Sequence, residues 1–211
     1  MPFRQEIIQI NCIFIHLLSF EEFDPITYLD QLTDQEKDRF FSFGHDKRRR
    51  EFAATRILRH RVFGFKHIHY DQFGAPYIED EGYISISHAH GIVGIALCKD
   101  FSIGLDLESI DQKAVRLSSK FLNDEEAGQL NTNDPVEMTS AWSAKEVLYK
   151  LAGRKEILFK QHLIINKEKD GYLGTIHNPD HSLKVNLRSF TFGDTIVSIN
   201  TEACEKFNAH I

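Results

Sequence analysis

Two short segments carry residues able to do chemistry together: Ile103-Gly104-Leu105-Asp106-Leu107-Glu108 and Trp142-Ser143-Ala144-Lys145-Glu146-Val147-Leu148-Tyr149-Lys150. In the first, apolar and non-apolar residues alternate as they do along a β-strand. Ile103, Leu105 and Leu107 take one face, and Gly104, Asp106 and Glu108 the other. Two carboxylates side by side repel unless a cation or a proton comes between them. A hard divalent ion such as Mg²⁺ suits such a pair, because it accepts one or two carboxylates together with substrate phosphates. In the second segment Glu146 and Lys150 stand at i and i+4 and project from one face of a helix. A third carboxylate and an ammonium could there meet the strand pair. Taken singly, the segments also read as a solvated strand face and an ordinary helix-surface ion pair.

The chain around them is that of an ordinary globular protein, with 211 residues, 42% hydrophobic and 27% charged. This length allows one or two compact domains with a sizeable core. No apolar run approaches the ~20 residues of a membrane span. The segment Ile7–Phe14 reads as a β-strand rather than part of a signal peptide. Cys12, Cys98 and Cys204 are odd in number, widely spaced and set in apolar surroundings. They read as reduced core residues of a cytoplasmic protein, not as a disulfide framework or a zinc site. His67 and His69, like His88 and His90, alternate as a metal pair would, but no Cys or third His follows at suitable spacing.

The net charge of −6 conceals an asymmetry: residues 37–66 carry +7 and the remainder −13. Clustered positive charge in an acidic chain points either to a local anionic partner or to a solvated basic helix. No interleaved aromatic motif accompanies it, so a phosphorylated small molecule is expected rather than nucleic acid. Arg48-Arg49-Arg50 opens a helix over Glu51–Phe63, where cations oppose the macrodipole unless an anion also sits there. A faint repeat at an offset of 90 residues relates Leu32-Thr33-Asp34-Gln35-Glu36 to Leu122-Asn123-Asp124-Glu125-Glu126, and Ala54, Ile57 and Leu58 to Ala144, Val147 and Leu148. Each half would begin with a Thr- or Asn-capped helix, continue to a longer helix, and then form strands: Tyr83–Ser87 and Ile92–Cys98 in the first, Leu183–Phe190 and Thr195–Asn200 in the second. Trp142 falls on an apolar helical stripe with Ala141, Leu148, Leu151 and Ala152 and is expected in the core.

In this order and 38 residues apart, the carboxylate strand and the Trp142–Lys150 helix resemble the signature of 4′-phosphopantetheinyl transferases of the Sfp type, roughly G-[IV]-D-[IV]-E followed by W-x-x-K-E-[AS]-x-x-K. The resemblance implies an α+β fold of two pseudo-twofold-related α/β halves, residues 1–104 and 105–211. Each half would have a small antiparallel sheet and a long helix, with the active site in the cleft between them. It implies Mg²⁺ held by Asp106, Glu108 and Glu146, with Asp106, Glu146 and Lys150 as the catalytic set. Gly74-Ala75-Pro76-Tyr77 matches the family's G-K-P-x loop against the adenine of coenzyme A, so Gly74 and Pro76 would make that contact, and alanine replaces the lysine. Ser85-Ile86-Ser87-His88 looks like its N-[IL]-S-H-[ST] segment, where Ser87 and His88 would hold phosphates of coenzyme A. Arg50, then Arg49, with Lys37 as auxiliary, align with the basic region that binds the 3′-phosphate, and Lys145 would reach the pyrophosphate. Lys120-Phe121-Leu122 aligns with the carrier-docking segment, a basic charge beside exposed apolar surface.

The implied reaction is Mg²⁺-dependent transfer of 4′-phosphopantetheine from coenzyme A to a serine of an apo acyl- or peptidyl-carrier protein, with release of 3′,5′-ADP. Neither nucleic acid nor membrane takes part, and two halves in one chain fit a monomer. The alternatives are a non-catalytic coenzyme A or nucleotide-binding module and a Mg²⁺-dependent phosphohydrolase.

Overall fold

A computed structural model describes residues 2–153, 156–179 and 181–207. The chain opens with β1 (Phe3–Ile10) and β2 (Ile13–Phe20), a 3₁₀ segment (Pro25–Gln31), α1 (Asp34–Ser42) and α2 (Asp46–Phe63). A two-stranded ribbon of β3 (His69–Tyr70) and β4 (Pro76–Tyr77) precedes β5 (Tyr83–Ala89) and β6 (Ile92–Cys98). Then come β7 (Leu105–Ser109), α3 (Gln112–Phe121), α4 (Asp124–Gln129) and α5 (Pro135–Leu151). The chain finishes with α6 (Phe159–His162), β8 (Leu163–Glu168), β9 (Gly171–His177), β10 (Ser182–Phe192), β11 (Thr195–Asn200) and β12 (Glu205–Phe207).

Two antiparallel sheets result. The first has strand order β1-β2-β6-β5, the second β7-β11-β10-β9-β8, with β12 pairing to β10. The long helix α2 packs on β2 and β6, and α5 packs across β7 to β11. The expected β-strand over Ile7–Phe14 is instead broken at Asn11-Cys12, where Asn11 takes φ 52° and the chain reverses into β2. Asn tolerates this left-handed conformation better than other non-glycine residues. Cys12 is consequently exposed rather than in the core, whereas Cys98 is buried. Among the described residues no helix is long and apolar enough to cross a membrane.

The sheets meet along a seam that decides where the carboxylates go. Leu105 and Leu107 turn inward with Ile13, Ile15, Leu17, Val197 and Ile199. The edge of β7 away from β11 is not left open, because two serines of β5 cap it. Ser85 Oγ accepts from Leu105 N at 2.9 Å and Ser87 Oγ from Leu107 N at 3.0 Å. Serines at i and i+2 on β5 thus satisfy backbone donors at i and i+2 on β7, which a buried edge requires.

The faint repeat has a physical basis. Thr33 and Asn123 each begin a capping box with Glu36 and Glu126. Both glutamates are buried, and each also binds a buried cation from the following long helix. Glu36 accepts from Arg56 Nε and from an Arg59 NH2 group, both at 3.0 Å, and Glu126 accepts from Lys145 Nζ at 2.8 Å. One residue type at N3 thereby closes the short helix and anchors the long one.

Candidate active site

Three elements assemble the site: β7, the stripe Trp142, Glu146 and Lys150 of α5, and the end of β5 where α2 begins. Gly104 sets the distance between the first two. A Cβ there would stand 2.9 Å from Val147 O, so only glycine lets the strand entry approach the helix backbone this closely. Side chains at i, i+4 and i+8 on α5 then face the strand. Trp142 Nε1 donates to Glu108 Oε1 at 2.8 Å. Lys150 Nζ donates to Asp106 Oδ1 at 2.9 Å and also to Leu105 O. Helix and strand run antiparallel, so Glu146, half-buried midway along the stripe, falls between these two anchors.

Asp106 is the most constrained carboxylate. It is 5% exposed, and its Oδ1 accepts from Lys150 and, at 3.2 Å, from Ser87 Oγ. Its Oδ2 is buried with no hydrogen-bond partner. A buried carboxylate oxygen without a donor costs about 1–3 kcal/mol or more, and an inserted cation would relieve that cost. Burial raises Glu108 above the usual carboxylate range and the Asp106 charge adds to it, while the indole hydrogen bond opposes both. Hard oxygen donors of this kind fit Mg²⁺. They are not closed around a metal position, however. Among the described residues the group of three metal-type ligands within 4.8 Å of one another is Cys12, Cys98 and Asp100. The ammonium of Lys150 pairs with Asp106.

A pocket of about 360 Å³ adjoins this cluster, lined by Arg48, Phe52, Tyr70, Gly74, Pro76 and His88 among others. That is within the range of small-molecule sites. Gly74 and Pro76 reach it on a loop tied by Asp71, whose Oδ1 accepts from the backbone of Phe73 and Ala75. His88 Nε2 lies 2.8 Å from an Arg48 NH1 group. The guanidinium can only donate, so the imidazole accepts there and carries its proton on Nδ1, the side facing Glu51 at 3.9 Å. Partial desolvation beneath α2 lowers the His88 pKa; Glu51 raises it, and Arg48 and Lys150 lower it further. Ser87 touches the carboxylate cluster and the next residue of β5, His88, lines the pocket.

Several expected residues are elsewhere. Lys37 pairs with Asp34 at 2.9 Å, Arg49 with Asp46 at 3.4 Å, and Arg50 with Glu22 at 3.5 Å beside a separate depression of about 210 Å³. None of the three lines the pocket; Arg48 and Arg39 do. The helix begins at Asp46 rather than Glu51, and residues 48, 51, 52 and 55 form the face turned to the pocket. That i, i+3, i+4, i+7 spacing, read from the earlier start, was the missed signal for Arg48. Lys145 does not reach the site. It is fully buried and bonds Phe121 O, Glu126 and Phe159 O. Burial pushes its pKa down, and Glu126 pulls it up. Phe121 and Leu122 are each 2% exposed and belong to the core, which leaves Lys120 alone on the surface.

Trp142 is partly buried and packs against the core rather than lying within it, stacked on Phe159 with ring centroids 5.2 Å apart. Its N–H adds a role that the apolar pattern does not reveal, since it fixes Glu108. Trp142→Phe keeps most of the packing and removes that donor. With Glu108 as a ligand of Mg²⁺, it would weaken Mg²⁺ binding about 10-fold or more, as loss of an outer partner of a metal ligand does. Calorimetric titration of Mg²⁺ measures this, and unchanged affinity would remove the indole from the site.

No curated protein matches the chain. Residues 102–200, which contain Asp106, Glu108, Trp142, Glu146 and Lys150, match the family model of the 4′-phosphopantetheinyl transferase superfamily.

Proposed function

We propose that this protein is an Sfp-type enzyme that moves 4′-phosphopantetheine from coenzyme A to a serine of an apo acyl- or peptidyl-carrier protein. The observation that carries the reading is the placement of the Asp106–Lys150–Ser87 cluster and the Arg48–His88 pocket at adjacent residues of β5. Carboxylates for a cation and donors for phosphates lie at opposite ends of one Ser-His dipeptide. Two sheet-plus-helix units with the same buried capping-box glutamate support the pseudo-twofold reading of halves 1–104 and 105–211, with the site at their seam.

Asp106, Glu108 and Glu146 would hold Mg²⁺, which when bound offsets charge on the coenzyme A pyrophosphate. Arg48 and His88 bind the 3′-phosphate, and Gly74 and Pro76 present backbone to the adenine. The carrier serine oxygen attacks the phosphorus bearing the pantetheine arm, and the bond from that phosphorus to the bridging oxygen of the ADP moiety breaks. Glu146 accepts the serine proton. Lys150 donates to the departing 3′,5′-ADP, whose negative charge grows as that bond lengthens. Positioning and charge stabilisation dominate such transfers, so no nucleophile from the enzyme is needed. An acidic carrier would meet the exposed Lys120 on α3.

Incubation with Mg²⁺, coenzyme A and an apo carrier tests the reading. The carrier is expected to gain the mass of phosphopantetheine. Free phosphopantetheine without carrier modification would mean a phosphohydrolase, and no change at all a binding module.

The pocket assignment has its own test. Arg48→Ala and His88→Ala are each expected to weaken coenzyme A about 10- to 100-fold while scarcely changing 3′-dephospho-coenzyme A, because a charge-assisted phosphate contact is worth ~1.5–3 kcal/mol. Arg50→Ala should leave both affinities near wild type. Equal losses for the two ligands would take the 3′-phosphate away from Arg48 and His88.

A further inference from the structure

A second group of ligand-type side chains lies at the far end of the first sheet, away from the carboxylate strand face. The turn at Asn11-Cys12 carries the exposed Cys12 thiol over the end of β6, where Cys98 is 1% exposed. Their sulfurs are 3.6 Å apart. Ligand atoms of Cys12, Cys98 and Asp100 all lie within 4.8 Å of one another, and both thiols are free.

The spacing excludes a formed disulfide and fits two sulfurs on one metal ion as well as two thiols sharing a hydrogen bond. With Zn–S bonds of ~2.3 Å and tetrahedral angles, two metal-bound sulfurs stand about 3.8 Å apart. A disulfide requires about 2.05 Å. The observed separation is within a few tenths of an ångström of the first and well over 1 Å from the second. Asp100 offers an oxygen ligand beside the two sulfurs, and the exposure of Cys12 leaves a fourth position open to water.

We propose that Cys12, Cys98 and Asp100 form a binding site for one thiophilic divalent cation of the zinc class, with three protein ligands and one open position. Binding releases the two thiol protons to solvent as the sulfurs become thiolates. The site joins the β1–β2 hairpin to residues 99–104, the crossing that leads from the first sheet into β7. A bound ion would therefore pin the approach to Asp106 without sharing a ligand with it.

The test titrates the reduced full-length protein with Cd²⁺, whose thiolate charge-transfer absorption reports sulfur coordination, and then displaces it with Zn²⁺. One equivalent of Cd²⁺ is expected to saturate the absorption, and Zn²⁺ to remove it. Asp106→Asn should retain the full signal, which separates this site from the carboxylate cluster. Cys12→Ser should abolish it, and because Cys12 is exposed this variant is expected to fold. Zn²⁺ should raise the thermal midpoint of the wild type and not that of Cys12→Ser. Absence of a saturating signal would overturn the proposal, as would a signal that survives Cys12→Ser or one that disappears with Cys204→Ala. Formation of a Cys12–Cys98 disulfide, read as a two-hydrogen mass loss, in place of metal uptake by the freshly reduced protein would also overturn it.

Discussion

Lys145→Met is expected to destabilise the protein by about 3–5 kcal/mol, the usual cost of removing one partner of a buried ion pair. Lys145 is 0% and Glu126 1% exposed at their side chains. Methionine fills the volume but leaves the Glu126 charge without its cation. Glu126 also accepts from Asn123 N and Ile165 N, so it joins α4, α5 and β8 and cannot turn away to water. For a chain of this size the loss corresponds to a fall in Tm of roughly 6–20 °C. Urea unfolding and calorimetry check it. The double variant Lys145→Met/Glu126→Gln should recover only part of the loss, because the neutral amide no longer strands a charge but offers one oxygen to the two backbone donors, Asn123 N and Ile165 N. A Lys145→Met protein of wild-type stability with weakened coenzyme A binding would return Lys145 to the phosphate site.

Asp106→Ala is expected to lower carrier modification by at least ~10²–10³-fold, the scale seen when one preorganised electrostatic group is removed from a reacting centre. The variant loses the carboxylate whose Oδ2 is buried and unpartnered, and neither Glu108, held by Trp142, nor Glu146 on the facing helix can take its place. The sequence suggests that folding is untouched, since one of two repelling carboxylates disappears. The structure adds a cost, because Lys150 loses Oδ1 and Ser87 loses an acceptor. A stability loss of about 1–3 kcal/mol is therefore expected, limited because Lys150 keeps Leu105 O. Carrier mass gain against Mg²⁺ concentration, with unfolding in parallel, separates the two effects. An Asp106→Ala protein that modifies its carrier at the wild-type rate would end the metal assignment.

What could be read from sequence was whatever depends on local periodicity. Alternation placed Asp106 and Glu108 on one face of β7 and Leu105 and Leu107 on the other, because side chains on a strand have a period of two. Spacing of four put Glu146 and Lys150 on one face of α5, whereas Trp142, read as part of the apolar stripe, joined them only in the structure. The capping residues Thr33 and Asn123, each followed by Glu three positions on, marked two helix starts. Long-range packing decided the rest. Which arginine of Arg48-Arg49-Arg50 meets His88 depends on a helix start five residues earlier than expected and on the approach of β5, 40 residues away. Lys145 is the lysine that the motif suggests for the pyrophosphate, yet the buried carboxylate of Glu126, fixed by its own capping box, claims it. Phe121 and Leu122 were legible as apolar but not as buried, since α3 only acquires an inner face once α5 and α6 pack against it. The contact of Cys12 with Cys98, 86 residues apart, exists because a positive-φ asparagine folds one apparent strand into a hairpin. Local pattern names the side chains on a face; tertiary packing alone says which face meets which.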